Sequence, residues 1–263
     1  MIRKKILYIT FDGILQPLGK SQIIPYLKKL SYDYEIHILS FERKIKINEK
    51  KEFYNYLNEK KIKWNIFHID KFKLNNLIKL IFLLIKLPIY VFYKKIDIIH
   101  CRSYIPGIFG LYLKTITNTK YIFDIRGFWP DEKLEGNYWK KDSYKYKFFK
   151  FIEKYIFIYS NCIITLTKNS REKIFQINKS IHKNINVIPT CVDINEYKIS
   201  NKIIDKNLIK LCYLGSIGGW YNFSKCIEFC NLINSKFKIE LIIINDNQHD
   251  EIEDMIKNKK ISF

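Results

Sequence analysis

The sequence predicts an α/β protein with a Rossmann-like, doubly wound parallel sheet, followed by an incomplete second α/β domain. Apolar, strand-like runs alternate with segments of helical periodicity along most of the chain. Several of these runs are nearly continuous Ile, Leu, Val and Tyr, which is typical of strands buried on both faces of a parallel sheet. The alternation stops at a polar stretch and then begins again, which indicates a second domain.

Each element follows from its local pattern. Seven apolar runs predict strands at 6–11, 35–40, 64–69, 96–101, 120–125, 162–167 and 185–188. The periodic segments predict helices at 20–31, 48–61, 74–94, 105–115, 143–160 and 168–178. A second series predicts a strand at 209–214, a helix at 221–234, a strand at 238–244 and a short helix at 250–258. We therefore predict domains at 1–190 and 209–263 joined by a linker at 191–208, and the second is shorter than a complete α/β domain.

The charge of the chain favours phosphate-bearing partners. Lys and Arg number 46 against 26 Asp and Glu, so the formal net charge is +20. Such an excess suits nucleic acid, anionic lipid head groups or sugar nucleotides, and biased codon usage explains it equally well. We expect no specific nucleic-acid binding, because the chain has no helix-turn-helix, zinc-module or RNP-type motif.

The cysteines and histidines indicate a cytoplasmic protein without a metal site. None of the six cysteines forms a C-x-x-C pair, and the five histidines are scattered away from them. We therefore expect free thiols in a reducing compartment and no bound metal.

The apolar stretch at 77–93 has two interpretations. Lys79, Lys86 and Pro88 interrupt it, so it is a poor membrane span. Three lysines flank it: Lys73, Lys94 and Lys95. It could lie on an anionic membrane surface, which would place the protein at the inner face of the cytoplasmic membrane. The favoured interpretation is an ordinary helix that covers the sheet and breaks at Pro88.

The loop after the first strand is the first candidate site, because ligands of open α/β sheets bind at the carboxyl ends of the strands. Gly13 and Gly19 allow the backbone to approach a ligand closely. Ser21, followed by Gln22, is expected to cap the next helix, whose amino end favours anions. The spacing is not G-x-G-x-x-G, so no dinucleotide site is predicted.

Charged residues follow the fourth and fifth predicted strands. His100 is either a core histidine or part of a site, and Arg102 requires a phosphate or carboxylate partner if it is buried. The segment 123–132 is denser, and its candidate residues are Asp124, Arg126, Trp129, Asp131 and Glu132. Carboxylates can act as general bases, arginines clamp phosphates, and aromatic faces stack on sugars. A site is favoured over an Asp–Arg pair that merely stiffens the loop.

The second domain begins with a strand, a glycine turn and a helix. Gly215, Ser216, Gly218 and Trp220 lie in this turn. Such a turn can hold a phosphate at the amino end of the helix, or it can be a simple tight turn.

Five segments in this order resemble the family 4 glycosyltransferases, which have the GT-B fold. They are DGILQPLGKSQIIPYL at 12–27, HCRSYIPG at 100–107, DIRGFWPDE at 124–132, VIPTCVD at 187–193 and LGSIGGWY at 214–221. The resemblance implies transfer of a sugar from a nucleotide sugar to an acceptor hydroxyl, with retention and without a metal or other cofactor. The acceptor would be a glycan or a lipid-linked sugar in the synthesis of surface polysaccharide or lipopolysaccharide.

The resemblance also implies roles for the candidate residues. Asp124 would be the catalytic residue. The acceptor cleft would be lined by Gly13, Gly19, Ser21, Gln22, Arg102, Arg126, Trp129, Asp131 and Glu132. The donor would be bound by Gly215, Ser216, Gly218 and Trp220.

Two departures from the family pattern concern the donor domain. Its first glycine turn lacks the Arg and Lys-Gly that many relatives carry. Glu240 and Glu251 do not have the spacing of the E-x7-E donor motif. The expected protein is therefore a truncated transferase, inactive by itself, and the alternative is a non-catalytic or split acceptor-binding subunit that needs a separate donor-domain chain.

Overall fold

In a computed structural model, the described residues of the first unit, Met1–Glu196, form a seven-stranded parallel sheet with helices on both faces. The strands are β1 (Lys5–Thr10), β2 (Glu35–Glu42), β3 (Ile62–His68), β4 (Ile98–Arg102), β5 (Lys120–Asp124), β6 (Cys162–Thr165) and β7 (Asn184–Val187). Their order is β3-β2-β1-β4-β5-β6-β7, so the winding direction reverses between β1 and β4. The predicted Rossmann-like α/β fold is confirmed.

The structure describes residues 3–42, 47–68, 74–177, 184–192, 194, 208–217, 221–245 and 248–258. Its two compact units are Met1–Glu196 and Tyr197–Phe263. Most of the predicted linker at 191–208 lies outside the described residues.

Helices cover both faces of the sheet. A π-helical turn at Gly19–Ile23 leads into α1 (Ile24–Leu30). The others in this unit are α2 (Ile47–Glu59), α3 (Leu74–Lys94), α4 (Tyr104–Thr117), α5 (Trp129–Glu135), α6 (Tyr144–Tyr159) and α7 (Lys168–Ile177). Side chains of α1 and α2 belong to one buried cluster, and side chains of α3, α4, α6 and α7 belong to the other.

The interior strand β1 shows why the strand runs are continuously apolar. Ile6 and Tyr8 pack into the cluster under α1 and α2, whereas Leu7 and Ile9 pack into the cluster on the opposite face. Because neighbouring side chains point to opposite faces of a strand, a strand covered on both faces needs apolar residues at every position.

Two local predictions were wrong. Helix α3 does not break at Pro88, which lies inside it. A proline leaves the carbonyl of residue i−4 without its helical donor, and here the Tyr112 hydroxyl donates to the Leu84 carbonyl oxygen at 2.8 Å. This hydrogen bond replaces the missing one and helps the helix to continue.

Helix α5 was the second error, because its residues were predicted as a loop. It begins at Trp129, with Pro130 in its first turn together with Asp131 and Glu132. Proline and acidic residues both favour the first turn of a helix. The residues that were interpreted as a loop rich in site residues therefore also fit the start of a helix.

The second unit contains two parallel strands and two helices within its described residues. The strands are β8 (Leu208–Leu214) and β9 (Lys238–Ile244), and the helices are α8 (Phe223–Asn234) and α9 (His249–Asn258). Ile217, Phe223, Ile227 and Ile252 form a small buried cluster.

Candidate functional site

The loop after β1 is fixed to the end of β2 by Glu42. The Ile14 backbone N–H donates to Glu42 Oε1 at 2.7 Å, and the Ser40 hydroxyl donates to the same oxygen at 2.6 Å. Trp64 Nε1 in turn donates to Ser40 Oγ at 2.8 Å. Burial raises the pKa of the Glu42 carboxyl above its usual value, although the bonds from Ser40 and Ile14 oppose this shift. Glu42 was missed in the sequence, since one acidic residue ending a strand gives no local signal of its partner.

Both glycines of this loop are required by contacts within the chain. A Cβ atom added to Gly13 would lie 2.5 Å from Glu42 Oε2. One added to Gly19 would collide with the Gly13 carbonyl oxygen and with Ile14 Cα. The loop is therefore folded tightly on itself, and the proposed approach of these glycines to a ligand stays a prediction.

Replacing Gly19 with alanine should destabilise the first unit by about 1–3 kcal/mol, because the new methyl group meets backbone atoms that cannot rotate away. Urea unfolding would measure the change. Lys20→Ala is the matched control, since it removes only an exposed ion pair with Glu49 and should cost less than about 1 kcal/mol. Equal effects of the two variants would contradict the close-contact explanation.

Ser21 does not cap the following helix, contrary to the sequence prediction. It lies inside the π-helical turn, and its hydroxyl donates to the Pro17 carbonyl oxygen at 2.8 Å. No side-chain cap bond is made at the start of the turn or of α1. The helical turn already begins at Gly19, two residues before Ser21, whereas a capping serine would stand just outside the first turn.

The end of β5 carries Asp124 between two arginines. Arg102 Nη1 lies 3.9 Å from Asp124 Oδ2, and Arg126 Nη1 lies 3.5 Å from Asp124 Oδ1. Arg102 is only 4% exposed and Asp124 only 6%. Gln22 joins the two arginines, because its Oε1 accepts from Arg102 Nη2 at 3.0 Å and from Arg126 Nη2 at 3.4 Å. Four of the predicted site residues therefore form one network at the carboxyl edge of the sheet.

Two further residues complete the arginine contacts. Arg102 Nε donates to Asp12 Oδ2 at 3.3 Å, and Arg126 Nη2 donates to Thr190 Oγ1 at 3.0 Å. Asp12 follows β1 and Arg102 ends β4, so this ion pair spans the point where the strand order reverses. That position is where ligands bind in doubly wound sheets.

Asp124 and His100 each keep a buried polar atom without a hydrogen bond. These atoms are Asp124 Oδ1 and His100 Nε2, and the latter lies 3.9 Å from Asp124 Oδ2. Burial alone would raise the pKa of Asp124, but His100 and the charges of Arg126 and Arg102 outweigh burial and lower it. The carboxylate therefore stays ionised and still has capacity to accept a hydrogen bond. Buried polar groups usually have hydrogen-bond partners, so this pair is an exception among the described residues.

A cleft of about 200 Å³ opens over this network. Besides the network, its lining includes the hydroxyl-bearing Tyr8, Ser21 and Tyr26, the exposed Lys29, and residues after β7 around Thr190. Burial, with a smaller contribution from Asp124, raises the pKa of Tyr26 to about 12. Its hydroxyl therefore stays protonated at neutral pH and can donate a hydrogen bond. Tyr8 and Lys29 were not selected from the sequence, because no local pattern relates them to Asp124. Tyr26 and Thr190 lie in two of the motif segments but were given no role.

Three predicted cleft residues lie elsewhere in the first unit. Asp131 accepts from the Tyr146 hydroxyl at 3.0 Å, and Lys173 Nζ lies 3.0 Å from its Oδ2. Trp129 packs edge-on against Trp139 at a ring separation of 5.0 Å. The Glu132 carboxyl packs over Gly127, and burial raises its pKa. None of the three lines the cleft over Asp124.

The predicted donor residues are described only in part. The Gly215 carbonyl accepts from Asn245 Nδ2 at 2.6 Å, and the Ser216 carbonyl accepts from the Tyr213 hydroxyl at 2.6 Å. Gly215 has a φ of +144°, which favours glycine. Gly218 and Trp220 lie outside the described residues.

Neither a metal cluster nor a membrane span is found in the described parts of the chain. Across those residues, no three His, Cys, Asp or Glu side chains gather as metal ligands would. In the same residues, every helix is too short or too polar to cross a bilayer.

Comparison with solved structures identifies proteins with a similar fold. The Anabaena Alr3699/HepE complex with UDP and glucose has a TM-score of 0.63 and 15% identity, covering 98% of this chain and 66% of that one. Sucrose-phosphate synthase (tll1590) from Thermosynechococcus elongatus has a TM-score of 0.67 and 12% identity, with coverages of 98% and 68%. The apo form of the lipopolysaccharide outer core galactosyltransferase WaaB has a TM-score of 0.60 and 14% identity, covering 98% of this chain and 65% of that one. The chain thus spans about two thirds of the length of these structures, and the predicted GT-B fold is confirmed.

Sequence comparison gives the family. No curated protein matches the chain. The model of Glycosyltransferase Family 4 matches residues 23–196, which are more than half of the chain and include Arg102, Asp124 and Arg126. The chain therefore belongs to glycosyltransferase family 4.

Proposed function

We propose that this chain holds the acceptor for a glycosyltransferase that moves a sugar from a nucleotide sugar to a hydroxyl of a glycan or lipid-linked acceptor. The observation that carries the proposal is the ionised Asp124, buried between Arg102 and Arg126 under an open cleft. Membership of family 4 supports sugar transfer as the reaction. We place the reaction in the cytoplasm, in the synthesis of cell-surface polysaccharide or lipopolysaccharide.

A nucleotide diphosphate sugar is the proposed donor class. The similar HepE protein has been crystallised with UDP and with UDP-glucose, which supports this class. In this chain Gly215 and Ser216, with Gly218 and Trp220, are the proposed donor residues. No metal is required by the proposal, because arginine and lysine side chains can balance phosphate charge.

The chemistry of Asp124 favours an orienting role. A general base works best when its pKa lies near the operating pH, and the pKa of Asp124 is lowered below that of an ordinary aspartate. It is therefore a weak base but a strong hydrogen-bond acceptor. We propose that Oδ1, which has no hydrogen bond in the described structure, accepts a hydrogen bond from the reacting acceptor hydroxyl and fixes its direction.

The cleft residues around Asp124 would bind the rest of the acceptor. The Tyr26 hydroxyl and Lys29 can donate to sugar oxygens, and the apolar part of the lining includes Pro25, Ile188 and Val192. Such a mixture of convergent polar groups and apolar walls is usual for small-molecule sites.

Acceptor binding can be tested on the chain as it stands. Titrating a panel of bacterial surface oligosaccharides by saturation-transfer NMR should identify ligands, and Arg126→Ala should weaken their binding about tenfold by removing a charged hydrogen-bond donor. Lys141→Ala, an exposed change in the loop before α6, is the control. Binding that is equal in the Arg126 variant and the wild type would place the acceptor elsewhere.

A transfer assay separates the two candidate roles. The wild type and Asp124→Asn would be incubated with bound oligosaccharides and a panel of nucleotide sugars. Product formed by the wild type alone, and lost in Asp124→Asn, supports a catalytic chain. If the wild type binds the acceptor without transferring sugar, and transfer appears when a separate donor-domain chain is added, the split-subunit alternative is supported. Equal transfer by wild type and variant would remove Asp124 from the mechanism.

A further inference from the structure

The outer face of α3 is an exposed apolar stripe. It consists of Ile78, Ile81, Phe82, Ile85, Ile89, Phe92 and Tyr93, each between 50% and 77% exposed. Their spacing of three and four residues places them on one side of the helix. The opposite side, with Leu87 and Val91, is buried against the sheet. An amphipathic helix normally turns charged residues outward, so this stripe is unlike an ordinary surface helix.

A second stripe lies on α6, in the same helical layer. Helix α4 packs against α3 on one side and α6 on the other, and all three cover the same face of the sheet. The exposed aromatic residues of α6 are Tyr144, Phe148, Phe151, Tyr155 and Tyr159. The rings of Tyr155 and Tyr159 stack at 6.3 Å, and Phe151 meets Tyr155 at 4.7 Å.

The charges of this layer are almost all positive. Helices α3, α4 and α6 contain a single acidic residue, Glu153, which is buried and paired with Lys150. Exposed lysines border the two stripes: Lys79, Lys86, Lys145, Lys147 and Lys154. The outer surface of these three helices therefore combines aliphatic and aromatic groups with ammonium groups and carries no exposed carboxylate.

We propose that this helical layer docks on an anionic membrane surface. The side chains of the α3 and α6 stripes would enter the boundary between head groups and acyl chains, and the lysines would lie near lipid phosphates. Enriched aromatic residues are typical of that boundary. Docking in this way needs no helix that crosses the bilayer. It is independent of the proposed transfer reaction.

Other occupants fit the surface less well. A second copy of the chain would bring lysines against lysines without carboxylates to pair them. A nucleic acid would supply phosphates but no apolar medium for the isoleucines and phenylalanines of α3. An anionic lipid surface supplies phosphates for the lysines and an apolar medium for the isoleucines and phenylalanines.

The topology relates this surface to the cleft. Because α3 connects the carboxyl end of β3 to the amino end of β4, its first turns lie at the edge of the sheet that carries Arg102 and Asp124. Ile78 and Ile81 are therefore on the part of the stripe nearest that edge. A docked molecule would hold its cleft edge beside the membrane, where a lipid-linked acceptor is found.

Vesicle flotation of the full chain tests the proposal without substrate. The wild type should float with vesicles of phosphatidylglycerol and phosphatidylcholine and much less with phosphatidylcholine alone. The combined change Ile81→Gln, Ile85→Gln and Ile89→Gln should reduce the bound fraction more than tenfold, because it removes buried apolar area. Ile47→Gln with Tyr54→Gln on α2 is the control, since both residues are exposed on the other face of the sheet. Thermal melting should show that all three proteins remain folded.

A charge variant gives a second, independent measurement. Lys86→Gln, Lys147→Gln and Lys154→Gln together should weaken binding about fivefold per lysine at low ionic strength and reduce its salt dependence. Three results would overturn the proposal: no flotation of the wild type, equal flotation of the α3 variant and the wild type, or equal losses in the α2 control. A wild type that is dimeric in solution and becomes monomeric on the α3 change would assign the stripe to self-association instead.

Discussion

Replacing Asp124 with asparagine should lower the free energy of unfolding of the first unit by about 3 kcal/mol at neutral pH. Asparagine has nearly the same shape, so the change removes charge and little volume. Arg102, which is almost fully buried, would keep only Asp12 and Gln22 as partners, and Arg126 would keep Gln22 and Thr190. Arg102 would lose one of its two carboxylates, and this is costly because water does not reach the buried guanidinium to replace the lost interaction.

The pH dependence of this effect has a defined sign. The pKa of Asp124 is lower in the folded protein than the value of about 3.9 expected in an unfolded chain. Its ionised form therefore adds stability above that pH, and the added stability is lost as the pH falls through the folded pKa. Urea unfolding from neutral pH down to acid should show the wild type and Asp124→Asn converging below about pH 4.

Asp142→Asn is the matched control for this prediction. It makes the same chemical change in the exposed loop before α6 and should alter stability by less than about 0.5 kcal/mol. A constant difference between wild type and Asp124→Asn at every pH would show that the carboxylate charge is not the cause. Equal stabilities at neutral pH would show that the arginines do not depend on Asp124.

The features that could be predicted from the sequence are those that repeat locally. The continuous apolar runs of β1 and β4 predicted a parallel sheet because both faces of such strands are buried. A parallel sheet gathers the ends of its strands at one edge, so Arg102 and Asp124 could be placed in one site before their contacts were known. Glu42 could not, since its bond to the Ile14 N–H joins residues 28 positions apart.

Short-range signals also failed where a distant partner decides the outcome. Pro88 usually ends a helix, but Tyr112 of α4 donates to the carbonyl that proline leaves unpaired. The acidic residues of 131–132 were assigned to the cleft because they follow Asp124 closely. The start of α5 turns Asp131 toward Lys173 and Tyr146 instead, and a local sequence pattern does not show that direction.

Glu153 is the clearest case of a buried acid outside the cleft, and replacing it with alanine should destabilise the first unit by about 2–3 kcal/mol. Its carboxylate accepts from the buried Tyr104 hydroxyl and from Lys150 Nζ. Burial keeps the pKa of Tyr104 well above its usual value, so its hydroxyl remains a donor that alanine would leave unpaired. The cost is limited because Lys150 is partly exposed and retains Asp131 at 3.4 Å.

Glu153→Gln separates the hydrogen bond from the charge. Its amide oxygen can still accept from Tyr104, so the change should cost less than about 1 kcal/mol. Burial raises the pKa of Glu153 more than Lys150 and Tyr104 lower it, so the folded pKa lies above the unfolded value of about 4.3. The stability from a raised pKa is present below the unfolded value and is lost as the pH rises through the folded one. Glutamine removes this loss, so Glu153→Gln should become more stable relative to the wild type as the pH rises above the unfolded value. Parallel unfolding profiles of the two proteins over that rise in pH would refute the assignment.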